Sequence, residues 1–438
     1  MQQALDYLQQ LKNYHWLVGD RTAEFQQIAT ESYMQINQEI PPKIILAEPD
    51  PVCFLAKFLA ACAAKCPVFL CNHDWGEQEW QQVWDLVQPD LVWGLSPLPQ
   101  TQKSPSPIPN WIMIPTGGSS GQIKFTIHTW ETLTASVQGF REYFQLQQIN
   151  CFCVLPVYHV SGLMQFMRCL TTGGQLVISQ FKAVVAGQIP SLNYSEFFLS
   201  LVPTQLQSLL QNPELTRWLC QFPTVLLGGA PAGRELLAAG RHHGIRLAPT
   251  YGMTETASQI ATLKPDDFLQ GNNSSGKILP HAQVRIGKSQ EILIYAQSLA
   301  LGYYPQTWEN LDYFSVDDIG FLDVQGYLTI VGRSSDKIIS GGENIYPGEI
   351  ESAIRATNMV ADVCVIGIPD QYWGQALTAI YVPLSNSSTS EIQTLLKEKI
   401  SKFKIPKYWI TLPTLPRNAQ GKVNRQQLQE LARELLVK

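Results

Sequence analysis

Short apolar runs alternate with helix-period segments through the first three quarters of the chain. Runs at 43–47, 68–71, 91–94, 152–155, 176–178, 197–202 and 225–227 have strand length and strand composition. The stretches 77–86, 129–144 and 203–211 carry helical spacing. Strands alternating with helices predict an α/β region built on largely parallel sheets. The most apolar segment, 52–70, is broken by Lys57, Lys65 and Pro67. It is too short and too interrupted for a membrane span, and reads as a buried helix running into a strand.

After about residue 271 the pattern changes. Short strands at 284–286, 291–295 and 327–331, with glycine-containing turns, predict an antiparallel or barrel-like β-rich subdomain over about 271–332. From Tyr346 a new unit begins, with helices at 348–356, 390–400 and 425–436 and strands at 361–368 and 377–382. The polar stretch Arg333-Ser334-Ser335-Asp336-Lys337 reads as the joint. The expected organisation is a large N-terminal α/β unit, 1–334, and a small α+β unit, 335–438. The proline- and serine-rich stretch 101–109 reads as a loop.

Composition adds exclusions. Hydrophobic residues make up 45% of the 438-residue chain and charged residues 15%, as in an ordinary globular protein. A net charge of −5 argues against a general nucleic-acid binder. The nine cysteines show no paired Cys-x-x-Cys and sit mostly in apolar runs, so buried reduced thiols are expected. The N-terminus is polar and lacks a secretory apolar core, which points to a cytoplasmic protein without an integral membrane segment.

One stretch has little reason to exist for packing. Thr116-Gly117-Gly118-Ser119-Ser120-Gly121-Gln122-Ile123-Lys124 joins glycines, hydroxyls and a lysine directly after an apolar run. Glycines let backbone N–H groups converge on an anion, hydroxyls add donors, and lysine adds a point charge. It is not a Walker loop, because no Gly-Lys-Ser/Thr follows. Alone it reads equally well as a flexible turn. Its company includes Leu155-Pro156-Val157-Tyr158-His159-Val160-Ser161-Gly162, Pro249-Thr250-Tyr251-Gly252-Met253-Thr254-Glu255-Thr256 and Asp318-Ile319-Gly320. Further on stand Gly332-Arg333 through Ser340-Gly341-Gly342-Glu343-Asn344 and Pro416-Arg417-Asn418-Ala419-Gln420-Gly421-Lys422. Taken singly, Lys422 reads as a solvated lysine, Glu255 as a favourable charge at a helix start, and His159 as a core histidine. Arg333 and Asp336 read as a local ion pair.

In this order and spacing, from about Ile114 to Arg425, the segments together resemble the acyl-adenylate-forming superfamily of acyl-CoA synthetases, nonribosomal adenylation domains and luciferases. The resemblance implies an ATP-dependent, AMP-forming ligase using Mg²⁺ and coenzyme A, with a mobile C-terminal domain. It implies that Thr116, Gly117, Gly118, Ser119, Ser120, Gly121 and Lys124 cradle the ATP phosphates. Thr254 would touch the α-phosphate and Glu255 would bind Mg²⁺. Tyr251 would stack on adenine beside Gly229 and Ala230, and Asp318, aided by Arg333, would hold the ribose. Lys422 would be the catalytic lysine of adenylation. Ser335 and Asp336 would be the hinge, and Ser340, Gly341 and Gly342 the wall of the CoA tunnel. His159 would gate or shape the acid pocket, with Gly252 and Met253 beside it. Ser161 and Arg168, seven apart on one helix face, would receive an extra carboxylate or carbonyl; the alternative is that Arg168 caps a surface elsewhere.

The combination of segments most resembles the o-succinylbenzoate–CoA ligases of menaquinone and phylloquinone synthesis. Aryl- and fatty-acyl-CoA ligases, and a non-catalytic adenylate-binding homologue, remain as alternatives. Three departures stand out. The usual Ser-Gly-Thr-Thr-Gly-x-Pro-Lys has Gly117 at its serine, Ser119-Ser120 for its threonines and Ile123 for its proline. The usual Thr-Gly before Asp318 is Val316-Asp317, and the hinge carries Ser335 where many relatives have Asp.

Overall fold

A computed structural model describes residues 3–11, 16–95, 110–117, 122–309, 311–340, 343–370, 372–384, 388–397, 399–417 and 423–436. The predicted loop at 101–109 lies outside them. Among the described residues the strands form four sheets.

The first sheet has the parallel strands Leu91–Trp93, Ile44–Leu46, Val68–Leu70 and Ile112–Gly117 side by side. Ile123–His128 then pairs antiparallel to Ile112–Gly117. In the second sheet, Leu176–Ile178, Asn150–Cys153, Phe197–Leu201, Thr224–Leu227 and Leu247–Met253 run parallel. Ser258–Thr262 and Lys277–Ile278 close it antiparallel. The expectation of mixed α/β sheets with parallel centres therefore holds.

Helices tie the two sheets into one core. Asp50 caps the helix Pro51–Ala63 by accepting from the N–H groups of Val52 (3.0 Å) and Cys53 (2.9 Å), with Pro51 in the first turn. Apolar on nearly every face, this helix is buried nearly all round and leads to the strand Val68–Leu70, as the sequence predicts. The helices Trp130–Phe144 and Val160–Thr172 add Leu133, Phe140, Leu163 and Phe166. These pack with Ile44 and Ile112 of one sheet and Phe198 and Ala248 of the other.

The β-rich part is an open antiparallel sheet of Ala282–Ile286, Glu291–Ala296, Phe314–Leu322 and Leu328–Arg333. Two parts of the predicted span lie elsewhere, and the first, Lys277–Ile278, pairs into the second sheet. The second, the short strands Gly302–Tyr303 and Gln306–Thr307, extends the first sheet, with Gly302 opposite Ile127 and Tyr303 opposite Thr126. Strands this short carry no periodicity, so pairing alone assigns them.

From Ile338 onward the chain builds a sheet of its own, centred on the hairpin Val360–Asp370 and Gly374–Pro383. Val363 and Val365 face one apolar cluster, with Ile350 and Ile392; Cys364 and Ile366 face another, with Leu428. That alternation is the period of a strand covered on both faces. The cysteines are free thiols; Cys66, Cys71, Cys151, Cys153, Cys169 and Cys364 are buried and Cys220 is exposed. Among the described residues no helix is long and apolar enough to cross a membrane.

Candidate active site

The glycine- and hydroxyl-rich stretch lies between two neighbouring antiparallel strands, with Thr116 opposite Lys124 and Gly117 opposite Ile123. Gly118, Ser119, Ser120 and Gly121 lie outside the described residues. Lys124 is exposed, and its Nζ stands 5.7 Å from the centre of the Tyr303 ring.

Thr254, Glu255 and Thr256 form a single 3₁₀ turn at the end of the strand Leu247–Met253. Beneath it lies His128, wholly buried, with Nε2 2.8 Å from the Thr254 carbonyl and Nδ1 3.0 Å from the Thr132 hydroxyl. A carbonyl only accepts, so Nε2 carries the proton. Burial lowers the histidine's pKa to about 4, so the ring is neutral and Nδ1 accepts from Thr132. The turn is also tied by the Ser298 hydroxyl, 2.8 Å from the Thr256 carbonyl.

The Glu255 carboxylate is 8% exposed and accepts from the Tyr303 hydroxyl at 2.7 Å. Among the described residues it makes no ion pair. A buried carboxylate without a cation is costly. A single carboxylate beside nucleotide phosphates matches how Mg²⁺ is commonly held, so this donor set fits the ion.

A second group assembles Tyr251, Asp318 and Arg333. The Tyr251 hydroxyl donates to Asp318 Oδ2 at 2.7 Å, and Arg333 Nε stands 3.4 Å from Asp318 Oδ1. Arg333 and Asp318 are cross-strand partners. Burial first, and then the Asp318 carboxylate, push the Tyr251 phenol far up, so it remains a donor. Gly228, Gly229 and Ala230 follow the neighbouring parallel strand Thr224–Leu227. Gly229 turns there with φ +80°, a left-handed conformation suited to glycine. The strand Leu247–Met253 bulges between Tyr251 and Gly252. A Cβ at Gly252 would come 2.1 Å from the Ser258 carbonyl oxygen, so only glycine fits this approach.

His159 begins the helix Val160–Thr172, and its ring lies 4.6 Å, centre to centre, from that of Tyr158. Ser161 is half-buried one helical step later. Arg168, on the same helix, is 2% exposed. Its Nη2 donates to Ser258 Oγ (3.1 Å) and Gln259 Oε1 (2.9 Å), and its guanidinium covers the Phe140 ring at 4.2 Å. It does not cap a surface. Nor does it pair with any carboxylate among the described residues, and its Nε is buried without a partner. Ser258 is the cross-strand neighbour of Met253, next to the Thr254 turn.

At the joint, Arg333 and Asp336 do not form the local pair that their spacing suggests. Arg333 pairs with Asp318, and Asp336 lies 3.6 Å from Arg425, which also bonds Glu351 at 2.8 Å. Asp317 accepts from both the backbone N–H (2.9 Å) and the hydroxyl of Ser335. Ser340 is buried, and among the described residues its hydroxyl has no partner. Gly341, Gly342 and Lys422 lie outside the described residues; Arg417 and Val423, on either side of the last, form an antiparallel bridge.

The structure thus joins Tyr251 to Asp318 and Arg333, and brings Glu255 and Lys124 to one tyrosine. It turns Arg168 toward Ser258 and Gln259 rather than Ser161. His128, Tyr303, Asp317 and Ser258 are absent from the sequence-based site. Asp317 entered only as a departure beside Asp318, and no motif marks His128 or Tyr303, because the Thr254 carbonyl and Glu255 that they meet stand far off in the chain.

The chain matches the AMP-binding enzyme family over residues 38–304 and the AMP-binding enzyme C-terminal domain over 349–422, and it belongs to that family. Among its relatives, the 2-succinylbenzoate–CoA ligase of Listeria monocytogenes is 34% identical over 339 residues, 72% of this chain and 68% of that protein. That of Bacillus anthracis is 34% identical, over 74% of this chain and 70% of its own. Among solved structures, the Bacillus subtilis o-succinylbenzoate CoA synthetase MenE in complex with the acyl-adenylate intermediate OSB-AMP superposes with a TM-score of 0.82. It is 26% identical and covers 98% of both chains. The same enzyme in complex with ATP and magnesium ion gives 0.79 at 25% identity, over 97% of this chain and 99% of its own.

Proposed function

We propose that this chain activates 2-succinylbenzoate as its acyl-adenylate and transfers the acyl group to coenzyme A. A carboxylate oxygen of the acid attacks the α-phosphorus of ATP, and the bond to the pyrophosphate oxygen breaks. The CoA thiolate then attacks the acyl carbon, and AMP leaves. The observation that carries this reading is the buried Glu255 carboxylate, which follows Thr254 and has no ion-pair partner among the described residues.

Around it, Thr116, Lys124 and the intervening glycines and serines bind the phosphates, and Thr254 approaches the α-phosphate. Mg²⁺, when bound at Glu255, supplies charge neutralisation for phosphoryl transfer. Asp318 accepts from the ribose hydroxyls, oriented by Tyr251 and Arg333, and Tyr251 lies along the adenine near Gly229 and Ala230. His159, Ser161, Gly252 and Met253 shape the acid pocket. The uncompensated Arg168 cation makes the vicinity of Ser258 favourable for the second carboxylate of a diacid. Lys422 reaches the reacting oxygens during adenylation. The chain divides at 334/335, with Ser335 and Asp336 as the hinge and Ser340, Gly341 and Gly342 along the thiol path.

The test is acid-dependent AMP and CoA-thioester formation with 2-succinylbenzoate, benzoate, a medium-chain fatty acid and no acid. Strong selectivity for 2-succinylbenzoate is expected. Comparable kcat/KM for another acid would overturn the substrate. Tight ATP binding with no AMP from any acid would overturn the ligase in favour of a non-catalytic nucleotide-binding homologue.

A further inference from the structure

Residues 300–303 are fastened to the Glu255 turn and to the Lys124 strand at once. Ala300 N–H donates to the Glu255 carbonyl at 2.7 Å, and Leu301 N–H to the Ile127 carbonyl at 2.8 Å. Tyr303 pairs with Thr126, two residues from Lys124. Its side chain then spans the gap. The hydroxyl donates to Glu255 Oε1 at 2.7 Å, the ring lies 5.7 Å from Lys124 Nζ, and Trp308 braces it edge-on at 5.4 Å. Lys124 and Glu255 are not ion-paired with each other among the described residues.

A phenol has one proton to give. The Tyr303 hydroxyl gives that proton to Oε1 at 2.7 Å, so Oε1 is committed to it. Oε2 is left as the oxygen available to a cation. The same ring covers the Lys124 ammonium.

We propose that Tyr303 is a positioning residue that orients Glu255 toward the divalent cation and insulates it from Lys124, so that neither charge neutralises the other. The proposal rests on Glu255 as the cation ligand. Without Tyr303 the lysine and the carboxylate would form their own salt bridge, and both phosphate and metal would have to break it.

Binding of Mn²⁺, measured by electron paramagnetic resonance with α,β-methylene-ATP present, tests this without turnover. Tyr303→Phe keeps the ring and removes only the hydroxyl. It is expected to weaken Mn²⁺ binding roughly tenfold, the loss of one hydrogen bond to a charged group. Metal-free affinity for the nucleotide should stay as in the wild type. Tyr303→Ala should in addition weaken metal-free nucleotide binding, because Lys124 is then captured by Glu255. Wild-type Mn²⁺ affinity in Tyr303→Phe would overturn the proposal, as would equal metal-free losses in both variants. Glu255→Gln separates the two levels. If it abolishes Mn²⁺ binding while Tyr303→Phe does nothing, only the role of Tyr303 fails. If it too has no effect, Glu255 is not the ligand and both fail.

Discussion

A single methyl group added at Gly252 probes the approach of two backbones beside the Thr254–Thr256 turn. A Cβ there falls 2.1 Å from the Ser258 carbonyl oxygen and 2.5 Å from Gln259 Cα. Both are main-chain atoms, so no rotamer change relieves the contact. Restoring a carbon–oxygen separation of about 3.3 Å requires the strands to part by about 1 Å. Overpacking of this kind costs about 1–3 kcal/mol. The displaced backbone continues directly into Met253, Thr254 and Glu255. A misplacement of about 1 Å there costs on the order of a hundredfold in rate. Gly252→Ala should therefore melt a few degrees lower and slow acid-dependent ATP–pyrophosphate exchange by about a hundredfold. Gly348→Ala, where a Cβ meets nothing within 4 Å, is the matched control. Wild-type exchange and melting in Gly252→Ala would refute the reasoning, because the strands could not then be as close as described.

Arg168→Ala should raise the KM for 2-succinylbenzoate more than that for benzoate, and an unchanged ratio would remove Arg168 from acid recognition. Lys422→Ala should cost about 2.7–4 kcal/mol in adenylation while sparing thioester formation from pre-made acyl-adenylate; equal loss in both half-reactions would sink its assigned role. Stability should fall on acidification. Burial lowers the pKa of His128 and of His281 to about 4, below the ordinary 6.5, so between those values the unfolded chain binds more protons. The stability is complete above about pH 6.5 and declines toward pH 4, by up to roughly 3 kcal/mol for each histidine. Melting temperatures across that range should flatten in His281→Gln, and a slope unchanged by that substitution would contradict the assignment.

The parallel-sheet architecture could be read from the chain because its strands are continuous apolar runs between amphipathic helices. Tyr251, Asp318 and Glu255 could be singled out because they stand in compact motifs, and the fold does bring the first two into contact. Tyr303 could not. Its two-residue strand has no period, and its partner lies 48 positions away. His128 sits inside an ordinary strand pattern, and only the fold brings the Thr254 carbonyl to it. Arg168 lies on the helix that its spacing predicts, but helical spacing gives a face and not a partner. Ser258 and Gln259 reach it from a strand about ninety positions on.

The hydrogen bonds between Asp317 and Ser335 change how the joint's sequence should be read. Asp317 stands where the resemblance leads one to expect glycine, and Ser335 where it leads one to expect aspartate. As two separate oddities they say little, but the two residues touch. The joint still holds one carboxylate at this contact, contributed from the strand Phe314–Leu322 instead of from position 335. Exchanging Ser335 alone for aspartate would set two carboxylates against each other, and one would have to take up a proton or a cation. Exchanging Asp317 alone for glycine would leave none. Only the double exchange keeps the count, so each residue is a permissible choice only in the presence of the other.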